Sequence, residues 1–191
     1  MTMGDLLLIL IGTALANNLV LVSAIGLTPL LALSRRIEVA QGMAIVSLIG
    51  MPISALIAHG CAALLRESGQ EFLRLPLLLL ALALAVKVAA HWLRRRPRLQ
   101  LAYGSYLPLL GLNSLLPGVA LLSLEQPYGW VGAAAFGLGC GLAYALTLVL
   151  FASLYGRLVD RHIPAPFRGA PIALISLALM SMGLAGLAGL G

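Results

Sequence analysis

The stretch Leu77-Leu78-Leu79-Leu80-Ala81-Leu82-Ala83-Leu84-Ala85-Val86 continues through Lys87, Val88, Ala89, Ala90, His91, Trp92 and Leu93, and is closed by Arg94-Arg95-Arg96. Its reading decides the fold class. With its leading Arg74, Leu75 and Pro76 it holds about 20 mostly apolar residues. At roughly 1.5 Å per residue that matches the ~30 Å hydrocarbon core of a bilayer, and the arginines at its end anchor it in the headgroups. The rest of the chain has the same character. Of its 191 residues 61% are hydrophobic and only 9% charged, and the mean hydropathy is +1.05, which excludes an ordinary soluble domain.

Six apolar stretches stand out, at roughly 5–30, 42–64, 74–93, 101–123, 130–155 and 170–190, each about the length of one span. A hydrocarbon environment requires every backbone N–H and C=O to be satisfied inside its own segment, and the period-2 alternation of a barrel strand is absent. The spans are therefore expected to be helices. Residues Met1 to Asp5 carry an acid and no cation, so the first stretch is not expected to be a cleaved signal peptide. The expected fold is an all-α integral membrane protein forming one membrane domain over 1–191.

The net charge of +6 is read as orientation, and no nucleic-acid partner is expected. Arg35 and Arg36 follow span 1, Arg94, Arg95, Arg96 and Arg98 follow span 3, and Arg157, Arg161 and Arg168 follow span 5. All nine share one side. The other side has only Arg66 and Arg74, and Lys87 lies within span 3. Excess Lys and Arg mark cytoplasmic loops, so both termini are expected outside the cytoplasm.

A weak internal repeat fits this topology. Leu33-Ser34 and Glu38 lead from span 1 into span 2, and Leu122-Ser123 and Glu125 lead from span 4 into span 5. The halves, about 1–96 and 97–191, would each hold three spans. Because three is odd, the second half enters from the opposite side and the repeat is inverted.

Spans 1 and 4 are interrupted. Span 1 carries Asn17-Asn18, Gly26 and Pro29, and span 4 carries Pro108, Gly111, Asn113-Ser114 and Pro117-Gly118. Gly and Pro loosen the helical ladder, so both are candidate broken helices. Asn17 and Asn113 each lie about 12 residues into their span, roughly 18 Å from the entry side, which brings both amides to the bilayer middle. Such amides serve as interhelical glue or as the lining of a pathway at a repeat interface, and their matching depth favours the pathway.

Lys87 and His91 are one turn apart on span 3, and Lys87 is expected to snorkel toward the arginines. His59 and Cys61 read as packed interior residues. Glycines 137, 139 and 141 in span 5, and 183, 186 and 189 in span 6, read as sites of close helix approach. Asp5, Glu38, Glu67, Glu71, Glu125 and Asp160 all fall at span ends or in loops, which argues against a self-contained carboxylate-driven pump. Cys61 and Cys140 form no CxxC or Cys/His pattern, and there is neither a phosphate loop nor a catalytic triad pattern. No complete active site is expected in this chain, and no metal site is read from spacing.

Three runs carry a family resemblance: Gly12-Thr13 with Asn17-Asn18-Leu19-Val20-Leu21-Val22, Gly26-Leu27 and Pro29; Leu107-Pro108-Leu109 with Asn113 and Gly118-Val119-Ala120-Leu121-Leu122; and Pro164-Ala165-Pro166-Phe167-Arg168-Gly169 with Ile172-Ala173-Leu174-Ile175. The chain resembles, along its whole length, the A-type subunits of the Rnf/Rsx electron transport complexes. These are related to the D and E subunits of the sodium-translocating NADH:quinone reductase. The resemblance implies a six-helix subunit of the bacterial inner membrane, packed as an inverted pair with a related six-helix subunit. It implies a complex that moves electrons between NADH and ferredoxin or another acceptor, coupled to sodium or proton movement, with flavin in other subunits. It also implies half-helices in spans 1 and 4, and contact between Arg168 of the Pro164–Gly169 run and a cytoplasmic partner.

The resemblance further implies a [2Fe–2S] cluster shared with the partner, held in part by a cysteine between Gly-Leu and Pro of span 1 and another after the Asn of span 4. Thr28 and Ser114 occupy those positions. Hydroxyls are not normal iron ligands, so the cluster is not carried over. The expected function is that of a membrane subunit of a redox-driven, ion-translocating oxidoreductase. The rivals are a stand-alone small-solute or ion transporter on the same repeat, and a non-catalytic assembly subunit.

Overall fold

A computed structural model describes residues 3–16, 37–96, 100, 104–111, 114–158 and 163–188. The described residues form helices α1 (Met3–Ile11), α2 (Ile37–Ser68), α3 (Arg74–Arg94), α4 (Tyr106–Gly111), α5 (Leu115–Glu125), α6 (Trp130–Tyr155) and α7 (Ala170–Ala188), with no strand among them. α1 widens into a π-helical turn over Gly12–Ala16. Three of these helices, α2, α3 and α6, are long and apolar enough to cross a membrane, whereas α1, α5 and α7 give shorter apolar segments.

The centre of the molecule is the pair α2 and α6, packed antiparallel. Gly60 faces Trp130, Gly137 faces Met51 and Pro52, and Gly141 faces Leu48, so the chain numbers run in opposite directions along the contact. Small residues make the closeness possible. The buried stripe of α2 runs Ala40, Met43, Ala44, Ser47, Met51, Ser54, Ala55, Ala58, Cys61 and Leu65, which is helical periodicity on one face. A Cβ on Gly137 would lie 2.6 Å from the Pro52 Cα, and one on Gly141 would lie 3.0 Å from the Leu48 Cα. The close-approach reading therefore holds for α6, where Gly139 likewise leaves room for the Thr13 hydroxyl. For α7, no atom of the described residues lies within 4 Å of a Cβ placed on Gly183 or Gly186. Gly189 lies outside the described residues.

Buried hydroxyls are satisfied locally. Ser47 donates to the Ala44 carbonyl at 2.9 Å, Ser54 to Met51 at 2.7 Å and Thr147 to Ala143 at 2.8 Å. α2 ends at Gly69, whose φ of 68° places the left-handed residue a helix terminus favours, and Gln70 N–H reaches back to the Leu65 carbonyl at 3.3 Å. The short turn over Glu71–Leu73 then reverses the chain into α3. α4 and α5 run alongside α2 in the same direction: Tyr106 abuts Gly42, Leu110 and Leu116 abut Gly50, and Ala120 packs with Ala58.

Candidate functional site

Span 4 holds two of the described helices. α4 ends at Gly111 and α5 begins at Leu115, with Ser114 just before it. Asn113 lies outside the described residues. Leu110 is almost fully buried and closes on Gly50, where a Cβ would stand 2.7 Å from its Cδ2. Gly111 lies equally close to α3, with Val86 Cγ1 2.8 Å from a hypothetical Cβ. The end of α4 is thus wedged between α2 and α3 at the level of Gly50, about 20 Å along α2 from its start. Ser114 has helical backbone angles (φ −60°, ψ −10°), its carbonyl accepts the Gly118 N–H at 2.9 Å, and its exposed side chain makes no capping bond. Its hydroxyl remains available at the break.

In span 1, Thr13 is buried and its Oγ1 donates to the Ile9 carbonyl at 2.5 Å, at the start of the π-helical turn. A π-turn widens the helix and often marks a functional position. Asn17, Asn18 and Thr28 lie outside the described residues.

Tyr144 is a residue that sequence reasoning missed. It sits near the middle of α6 in the same core cluster as Leu115 and Leu116, is fully buried, and its hydroxyl has no hydrogen-bond partner among the described residues. Its signal in the sequence is slight: a lone phenol at mid-span. Beside the break lies an apolar cavity of about 430 Å3, walled by Ile49, Ile53, Val86, Leu107, Leu110 and Leu116 among others.

Cys140 is buried in the same core cluster, and Cys61 is buried on α2. His59 is a half-buried interior residue, as expected, with Nδ1 3.2 Å from the Ala55 carbonyl and Nε2 3.1 Å from that of Tyr128. Lys87 is exposed on α3 and is not among the residues lining the cavity. One turn on, His91 Nε2 lies 3.3 Å from Arg95 Nη2, and Arg96 stacks over Trp92 at 5.5 Å.

The Pro164–Gly169 run forms a self-closing knuckle before α7. Phe167 N–H donates to the Pro164 carbonyl at 2.9 Å, and Arg168 Nε to the Ile163 carbonyl at 2.9 Å. Gly169 adopts φ 82° and its carbonyl accepts from Ala173 at the start of α7. Internal bonding uses Arg168 Nε, and the exposed Phe167 ring faces out. Among the described residues no group of three His, Cys, Asp or Glu could hold a metal ion.

Three helices long and apolar enough to span, built around a tight small-residue pair, define a polytopic helical membrane protein. Sequence comparison specifies it further. The family described as Rnf-Nqr subunit, membrane protein, matches residues 6–191, and the chain belongs to that family. It is 39% identical over 190 residues to the A-type subunit of the ion-translocating oxidoreductase complex of Alkalilimnicola ehrlichii, covering 98% of each chain. The corresponding protein of Cereibacter sphaeroides is also 39% identical, with the same coverage. That of Vibrio cholerae is 36% identical over 99% of this chain and 90% of its own.

Proposed function

We propose that this chain is the A-type membrane subunit of a redox-driven, ion-translocating oxidoreductase complex, helping to carry electrons across the membrane and couple them to cation movement. The observation that carries this reading is its end-to-end similarity to the A-type subunits of such complexes. Six spans then form two inverted three-helix repeats, with spans 1 and 4 broken near the midplane. The antiparallel pairing of α2 with α6, the second span of each half, supports that arrangement. So does the wedge of α4 at the level of Gly50. The ends of α3 and α6, with Arg94, Arg95, Arg96 and Arg157, share one face, which supports a cytoplasmic assignment for it and periplasmic termini in a bacterial inner membrane.

Asn17, Asn18 and Asn113 line the midplane with Thr28 and Ser114, and the knuckle at Arg168 meets a cytoplasmic partner subunit. The donor set does not fit the [2Fe–2S] centre that the resemblance implies. Two hydroxyls stand at the expected thiolate positions, while Cys61 and Cys140 are enclosed in α2 and α6. No electron-transfer step is assigned to such a centre on this chain.

A chain tagged in its native complex should co-purify with a related six-helix subunit, and its deletion should abolish redox-driven cation uptake by membrane vesicles. A chain that purifies alone, or transports in proteoliposomes without any electron donor, overturns the reading. A [2Fe–2S] signal in electron paramagnetic resonance that disappears on Ser114→Ala would overturn the cluster-free site.

A further inference from the structure

On the face with few cations, the two that are present converge. At the turn between α2 and α3, Arg66 and Arg74 line one cavity of about 420 Å3, together with His59, Gln126, Tyr128 and Trp130. This cavity is separate from the apolar one beside the helix break, at the opposite end of α3 from Arg94, Arg95 and Arg96. Four helix ends build it: the C-terminal end of α2, the start of α3, the end of α5 and the start of α6. In a chain whose α2, α3 and α6 are long enough to span, those ends mark one membrane surface.

The walls are set by packing. His59 ties α2 to the α5–α6 connection through the Tyr128 carbonyl, and the Trp130 ring lies against the His59 ring with centroids 6.0 Å apart. Neither arginine has an ion-pair partner among the described residues, and no carboxylate is among the described lining residues of the cavity, although Glu67 and Glu125 are close in sequence, as is Glu71, whose side chain lies outside the described residues. Guanidinium groups present planar donor forks that match phosphate oxygens, the Gln126 amide adds further donors, and an interfacial tryptophan sits at headgroup depth.

We propose that this cavity binds a phosphate group at the membrane surface, with Arg66 and Arg74 as the charged donors and the Gln126 side chain beside them. The phosphate comes from an anionic phospholipid headgroup or from a free phosphate in solution. The inference rests on the membrane reading alone and is independent of any electron-transfer role.

The test uses the full chain, purified, delipidated in neutral detergent and carrying Trp92→Phe, so that Trp130 is the only tryptophan and reports from the cavity wall. Titration with short-chain phosphatidylglycerol, phosphatidylcholine or inorganic phosphate is followed by tryptophan fluorescence. A saturable change with phosphatidylglycerol but not with inorganic phosphate supports the site and assigns the lipid. Saturation by inorganic phosphate supports it and assigns a soluble source. In either case Arg66→Gln with Arg74→Gln should weaken binding by about tenfold or more, while Arg66→Lys with Arg74→Lys keeps most of it, with helix content unchanged by circular dichroism. Equal binding of phosphatidylcholine and phosphatidylglycerol, no saturable change with any ligand, or full affinity in the glutamine double variant overturns the proposal.

Discussion

Two residues illustrate how local geometry sets energetic cost. Tyr144 buries a hydroxyl with no partner among the described residues, and an unsatisfied buried polar group costs about 1–3 kcal/mol. Tyr144→Phe removes the atom and keeps the ring, so thermal unfolding in detergent should show unchanged or raised stability, by up to about 1 kcal/mol. A fall of that size would mean that the hydroxyl has a partner in the folded protein. Gly169 lies at φ 82°, where a Cβ is strained, so Gly169→Ala should cost about 1–2 kcal/mol and Gly169→Asn less. The same unfolding measurement decides this, and equal stability of the alanine variant would show that the knuckle is not held at that angle. A lone tyrosine or glycine in a sequence discloses neither fact: the first depends on what surrounds the phenol, the second on the dihedral of one bond.

Among the elements, α6 and α7 have similar glycine-containing patterns and different surroundings. The backbone of α2 lies 2.6 Å from where a Gly137 Cβ would stand, and backbone cannot rotate aside. Gly137→Ala should therefore cost about 1–3 kcal/mol by overpacking. No atom of the described residues lies within 4 Å of a Gly183 Cβ, so Gly183→Ala should stabilise the isolated chain by up to about 1 kcal/mol through helix propensity. Comparing the two unfolding midpoints tests the contrast, and a Gly183→Ala loss as large as that of Gly137→Ala would mean that another helix covers α7. Periodicity marks a face able to be approached closely, but it does not tell whether a neighbour belonging to the same chain is there. That is why similar glycine patterns meet a described neighbour in α6 and none in α7. The weak points of span 4 are more legible, because Pro108, Gly111, Pro117 and Gly118 loosen the ladder wherever the segment is placed.

For the molecule as a whole, the charge distribution sets the expected topology. Gln70 and Gln100 are exposed beyond opposite ends of α3. Cys61 and Cys140 are buried, leaving a low background for thiol labelling. A membrane-impermeant maleimide added to intact spheroplasts should label Gln70→Cys, and should label Gln100→Cys only after permeabilisation. The reverse pattern would invert the orientation, and labelling of both from outside would refute the single crossing of α3. Composition and charge placement predict this arrangement because transfer of a 20-residue apolar helix into hydrocarbon, and retention of arginine on one side, are properties of segments and not of their neighbours.

Read alone, the chain of residues was enough for the helical membrane class and for family membership through motifs spread along the chain. These rest on local composition and on residues adjacent in the chain. Three-dimensional packing was needed to show that α2 and α6 form the central pair, that the α4 end wedges at Gly50, that Tyr144 has no partner among the described residues, and that Arg66 and Arg74 share one cavity with His59 and Trp130. Each depends on helices distant in sequence meeting in a particular register. In a membrane that register is chosen by close packing of small residues and not by a hydrophobic pattern, since lipid tails are as apolar as the helix faces they would replace.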